Sequence, residues 1–273
     1  MCHTALDGAV VDGVAAKTWR CRNGHSYDVG KDTTVHLLPA GHGKSNVVGD
    51  SIAMLQARRR FLQAGHYRAL TKALSDVVTE ALPARGVLVD FGCGEGSHLQ
   101  GIAAAVGGDV VVAGLDLSKD AVKLAAKTVR GARFVVGDSR SAIPLNDASV
   151  DVGLVVFAPR GLAELQRVLT AGATLVVAIP DGDHLEGVRA AWGGIGIADE
   201  KRERTIADLA AGFDLVDEVA VSDDIVLDGD SLADLLLMTP SSRHLDDDVI
   251  ATARASGGLV AGLRVRLLRF KRR

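Results

Sequence analysis

The residues best equipped for chemistry lie in one run, Asp90-Phe91-Gly92-Cys93-Gly94-Glu95-Gly96, and in Asp116 at the end of the next apolar stretch. Alternating glycines let the main chain turn sharply and approach a bound molecule closely. A strand, a glycine turn and then an acid at the next strand end make a nucleoside site, the acid being placed for ribose hydroxyls. The spacing Gly92-x-Gly94-x-Gly96 departs from the G-x-G-x-x-G of dinucleotide binders. Asp90 and Glu95 are also poor neighbours for a pyrophosphate, and they suit a cationic ligand. Taken alone, the run also fits a glycine-rich turn that binds nothing.

The elements that must hold this turn follow from the apolar pattern. Strands are predicted at 87–91, 110–115, 132–136, 150–156 and 174–179, with helices near 97–106, 119–129 and 160–169 between them. Apolar strands alternating with helices imply parallel pairing with both faces covered. Past residue 180 the pattern gives helices near 183–192, 203–211, 231–237 and 245–255, and strands at 215–221 and 259–270. The expectation is an α/β, seven-stranded, doubly wound (Rossmann-like) sheet.

Upstream, Asp50 or Ser51 caps a helix through Met54, Leu55, Arg58 and Leu62, and a second helix from Tyr67 to Leu82 stops at Pro83. These helices are expected to cover the entrance to the nucleoside site. Residues 1–40 carry Cys2, Cys21, His25 and turn pairs at Asp12-Gly13 and Asn23-Gly24, the marks of a small β-rich module. The division is therefore module 1–40, linker and covering helices 41–83, and nucleoside-binding domain 84–273.

Composition excludes several classes. At 273 residues and 48% apolar, the chain buries a full core. With 31 basic against 34 acidic residues, net charge −3, there is no global electrostatic case for nucleic acid, and DNA is not expected as a partner. No apolar stretch reaches membrane length and no signal region opens the chain, so a cytoplasmic location and no membrane contact are expected. Cys21-x-x-x-His25 with Cys2 upstream has the look of part of a tetrahedral zinc site, one ligand short. The segment Arg58-Arg59-Arg60, followed by Phe61, His66 and Tyr67, could track an RNA backbone and stack on a base, or be a capped helix and its turn.

The pattern D-x-G-x-G-x-G with a later acid resembles motifs I and II of the S-adenosylmethionine-dependent methyltransferases. That resemblance places Gly92, Gly94 and Glu95 at the methionine half of the cofactor and Asp116 at the ribose, with Asp90, Gly96 and Leu117 in the same loops. Asp138, ending the third strand, is placed for the adenine amino group or serves as a turn or cap residue.

A narrower resemblance covers nearly the whole chain. Cys…Cys-x-x-x-His, His36-Leu37-Leu38-Pro39, Gly49-Asp50-Ser51, Met54-Leu55-Gln56-Ala57-Arg58-Arg59, Ala64-Gly65-His66-Tyr67, Ala158-Pro159, His184-Leu185 and Leu237-Met238-Thr239-Pro240 resemble the bacterial 23S rRNA guanine-N1 methyltransferases. The resemblance implies cofactor contacts at Tyr67, Gly94, Glu95 and His184, and zinc at Cys2, Cys21 and His25. It also implies a guanine target in a 23S rRNA hairpin loop, a homodimer, and, in one branch, a part in macrolide resistance. Arg58, Arg59, Arg60, Phe157 and Arg160 are expected on the RNA side, the last two near the guanine. The first family cysteine has no counterpart, and Arg160 stands where some relatives differ. A small-molecule methyltransferase and a non-catalytic cofactor-binding protein are the alternatives, and no residue is identified as the proton acceptor.

Overall fold

The computed structural model describes residues 6–7, 18–21, 26–30, 34–37, 49–140, 143–193, 200–239 and 245–273. Cys2 and His25 lie outside these residues, and of Cys21 only its place at a strand end is described. A small antiparallel sheet joins β1 (Leu6–Asp7), β2 (Thr18–Cys21) and β3 (Ser26–Asp28).

The main sheet contains β4 (Val35–His36), β5 (Val87–Phe91), β6 (Val111–Asp116), β7 (Arg133–Val136), β8 (Val150–Val156), β9 (Leu169–Pro180), β10 (Phe213–Leu227) and β11 (Leu259–Arg272). Their order is β10-β11-β9-β8-β5-β6-β7-β4. Strands β4 to β9 pair in parallel, and β11 enters antiparallel to both β9 and β10. The seven expected strands are all present. The eighth, β4, comes from the span assigned to the N-terminal module but pairs with β7 in the main sheet. A strand of two residues, one of them the exposed His36, carries too little periodicity to attach it to β7.

Helices cover both faces: α1 (Ile52–Gln63), α2 (Arg68–Ala81), α3 (Ser97–Ala105), α4 (Lys119–Thr128), α5 (Leu162–Val168), α6 (Glu186–Trp192), α7 (Lys201–Leu209), α8 (Gly229–Met238) and α9 (Asp247–Ala255). Alternate strand residues face opposite sides. Leu88, Leu154 and Val176 join α2, α3, α4 and α8 in one core, whereas Val89, Val155 and Val177 join α5 and α7 in the other. Among the described residues no helix is long and apolar enough to cross a membrane.

The chain runs outward from β5 to β6 and β7, then returns to place β8 on the other side of β5. That reversal opens a crevice at the carboxyl ends of β5 and β8, where open α/β sheets bind ligands. The helix α1 begins as expected, its N-cap Ser51 accepting a hydrogen bond from the Met54 amide at 3.3 Å. It packs chiefly on α8 and reaches the loop after β5.

Candidate active site

The glycine turn sits at the crevice. Gly92, Gly94 and Gly96 have φ of +100°, +54° and +83°, a region open to glycine at little cost. A Cβ on Gly92 would lie 2.3 Å from the Ala158 Cβ, so the loops leaving β5 and β8 touch where the strand order reverses. Gly96 plays a different part: its Cα faces Ala125 and Val129 of α4, and it lets α3 and α4 approach.

Carboxylates crowd this turn. Asp116 accepts from the Gly94 amide (2.9 Å) through one oxygen and from the Ser118 amide (2.8 Å) through the other. Burial raises its pKa, and those two amides pull it back down. Leu117 lies between these contacts, half-buried. Asp90 is 3% exposed, and its Oδ1 has no hydrogen-bond partner among the described residues. Burial, then Asp116, then Glu95 push the Asp90 pKa up to about 7. Glu95 is also buried, at 2%. A buried carboxylate oxygen without a donor is costly, and a cationic ligand would satisfy it. The donor set therefore fits the ammonium and sulfonium of S-adenosylmethionine.

On the other side of the crevice stands a fixed pair. Tyr67, 4% exposed, places its hydroxyl 3.3 Å from His184 Nε2. The Arg264 amide donates to His184 Nδ1 at 3.1 Å. A backbone N–H can only donate, so Nδ1 is the acceptor and the ring proton of the neutral imidazole is on Nε2, which donates to Tyr67. The Tyr67 O–H is left to donate elsewhere. Burial is the main cause lowering the His184 pKa to about 4, with Arg189 next, so the ring is neutral at neutral pH. Burial also raises the Tyr67 pKa, and the phenol stays protonated.

Two bulky residues flank His184 in the left-handed region, Phe157 (φ +53°) after β8 and Leu185 (φ +54°) after β9. Such conformations are strained and persist where surrounding structure enforces them. Phe157 is 42% exposed with its ring 6.2 Å from that of His184. Arg160, three residues on, is half-buried, lies 3.9 Å from Asp208, and has a buried Nε with no partner among the described residues.

Several expected residues do other work. Arg60 donates to Asp234 of α8 (Nε to Oδ2 2.8 Å), and Arg58 turns inward to Asp50 (2.7 Å) and the Met238 carbonyl (2.9 Å). Both guanidinium groups are engaged by protein partners, and helical spacing aims the members of the triplet in different directions. Arg59 makes no ion pair among the described residues. Asp138 is gripped by Arg140 (2.9 and 2.8 Å), so its carboxylate is engaged at the place expected for adenine. Sequence reasoning missed Asp50, Ser118 and Arg264 as supports. Asp50 accepts the Ser118 hydroxyl through its carbonyl at 3.1 Å, joining the start of α1 to the loop after β6. The Gly49-Asp50-Ser51 motif was the available signal.

Among the described residues no group of three His, Cys, Asp or Glu could hold a metal. The zinc expectation falls on residues outside that set.

A family model described as a methyltransferase domain matches residues 88–173, and a zinc-ribbon model described as RlmA, N-terminal, matches residues 1–46. The chain is 35% identical to the 23S rRNA (guanine(748)-N(1))-methyltransferase of Streptomyces fradiae, over 86% of this chain and 83% of that protein. It is 32% identical to a putative 23S rRNA (guanine-N(1)-)-methyltransferase of Micromonospora griseorubida, over 95% of this chain and 92% of the relative. Among solved structures, a SAM-dependent methyltransferase from Aquifex aeolicus matches with a TM-score of 0.52 at 15% identity, covering 81% of this chain and 99% of that one. That likeness is one of fold.

Proposed function

We propose, for a chain that belongs to the 23S rRNA (guanine-N1)-methyltransferase family, that the crevice between β5 and β8 joins S-adenosylmethionine to a guanine of 23S rRNA and methylates its N1. The single structural observation that supports this site is Asp90, a buried carboxylate without a donor beside the glycine turn. The cofactor, when bound, supplies an activated methyl group on a sulfonium. Asp90 and Glu95 face its positive end, and Asp116 keeps lone pairs for the ribose after accepting from two amides. Tyr67, fixed by His184, has an O–H left to donate to the ligand.

Guanine N1 carries a proton that must leave as the methyl arrives. His184 is unsuited to take it, because Nδ1 is occupied by the Arg264 amide and Nε2 already bears hydrogen. The proton passes to solvent water at the exposed mouth beside Phe157, while the chain supports the electron-rich base: Arg160 offers an unpartnered N–H to a guanine oxygen on which charge develops, and Phe157 offers a stacking face. N1 lies on the Watson–Crick edge, so the target must be unpaired, as in a hairpin loop. Arg59 is the member of the basic triplet left to meet phosphate. Residues 1–46 would hold zinc through Cys2, Cys21 and His25, and no step of the reaction is routed through it.

The test is transfer of tritiated methyl from S-adenosylmethionine to unmodified 23S rRNA, with primer extension to map the product. The expected result is incorporation and a stop at a hairpin-loop guanine, equivalent to position 748 of the Streptomyces fradiae relative's name. Cofactor binding without incorporation would defeat the acceptor assignment.

A further inference from the structure

The glycine turn has an electrostatic problem. Asp90, Glu95 and Asp116 surround it, and Asp50 is near enough to raise the Asp116 pKa further. These acids suit the ammonium and sulfonium of the cofactor but repel the carboxylate at the end of the same methionine chain. A site that accepts the whole zwitterion needs one cation beside the acids. Among the described residues Arg58 is the one cation within ion-pairing distance of any of these four acids, reaching Asp50 and Glu95.

Its position is specific. A Cβ on Gly94 would lie 3.4 Å from Arg58 Nη1, so the guanidinium stands over the loop where the main chain comes nearest the ligand. Nη1 is 2.7 Å from Asp50 Oδ2 and 3.9 Å from Glu95 Oε2, and Nη2 donates to the Met238 carbonyl at 2.9 Å. Three separate segments thus fix the group, and its side chain is only 23% exposed. A guanidinium carries more N–H donors than these contacts consume, in a planar fork matched to a carboxylate.

We propose that Arg58 is the carboxylate-binding residue of the cofactor site, held over Gly94 by Asp50 and the Met238 carbonyl to receive the methionine carboxylate. The proposal rests on the cofactor reading above. It turns a residue assigned from sequence to RNA into part of cofactor recognition, and it gives Gly49-Asp50-Ser51 a purpose in holding the start of α1 against the loop.

The probe pair is S-adenosylmethionine and its decarboxylated form, which keeps both positive groups and lacks only the carboxylate. Equilibrium binding of each is measured on the full chain with Arg58 intact, with Arg58→Met and with Arg58→Lys. Arg58→Met should weaken S-adenosylmethionine about tenfold to a hundredfold. The decarboxylated ligand should bind it as well as it binds the unaltered chain or better, which also shows that the variant is folded. Arg58→Lys should recover part of the discrimination. Equal loss for both ligands in both variants would leave Arg58 a mere brace between Asp50 and α8, and no loss for either would remove it from the site; both outcomes overturn the proposal. An unaltered chain that binds neither ligand would overturn the cofactor reading itself, and the proposal with it.

Discussion

The glycine turn and the β10–β11 ladder treat charge in opposite ways. Along the ladder the arginines that could have formed a basic patch are matched by acids: Arg264 by Asp224 (2.6 Å), Arg266 by Asp181 (2.7 Å), Arg269 by Asp217 and Glu80 (2.9 and 3.0 Å), Arg273 by Asp214 (2.7 Å). Around the turn, buried carboxylates outnumber the cations within reach, and Asp90 is left with an oxygen that nothing among the described residues serves. Balanced charges at a surface hold a fold together weakly, whereas buried, unbalanced charges cost stability and are retained where a ligand completes them. Four of the six basic residues between Arg264 and Arg273 are thus matched by acids, and the turn explains why a chain of modest net charge still selects a cation.

The sharpest way to break this contrast is at Gly92. Alanine there must fit a Cβ 2.3 Å from the Ala158 Cβ at a φ of +100°. Strain and overlap together should cost about 2 to 4 kcal/mol in urea unfolding and abolish cofactor binding. A Gly92→Ala chain of unaltered stability would mean that the two loops do not meet at the switch point, and the crevice would lose its floor.

Asp90→Asn tests the unbalanced charge directly. A carboxyl whose pKa rises on folding holds its proton more tightly folded than unfolded, so its contribution to stability is present at low pH and is lost as pH rises from the ordinary carboxylate range to about 7. Cofactor binding has the opposite sign, because a cation favours the ionised form: affinity should rise with pH up to about 7 and level off above it. Asn should raise the melting temperature at pH 8, weaken S-adenosylmethionine roughly tenfold, and flatten that pH dependence. Unchanged pH profiles in calorimetry would show that Asp90 does not face the ligand.

The two regions also differed in how readable they were. The turn is local: Asp90 through Gly96 and Asp116 announce themselves by type and spacing, and the structure puts them together. Strand β10 was foreseen only over 215–221, because Ser222, Asp223 and Asp224 broke the apolar pattern; they sit on a sheet edge, where exposed polar side chains are the rule. The stretch from Thr34 to Leu38 reads as strand-like, but nothing local in it says that β4 pairs with β7 of the main sheet. Where Arg58 and Arg60 turn depends on partners far along the chain, Met238 and Asp234, that no local pattern could supply. The tautomer of His184 likewise depends on the Arg264 amide, a contact made only once β11 is inserted beside β9.

The smallest effect belongs to the ladder. Arg269 sits opposite Asp217 in register and reaches Glu80 of α2, far from the crevice. Both acids are substantially exposed, so solvent screens the pairs, and Arg269→Ala should cost no more than about 1 kcal/mol, less at high salt. Its effect on the salt dependence of rRNA binding should be nil, because the guanidinium is already spent on protein carboxylates. If instead that dependence falls by one phosphate contact, as expected for Arg59→Ala, then the ladder's ion pairs open on the RNA, and the division between charges that hold the fold and charges that wait for a ligand would have to be redrawn at β11.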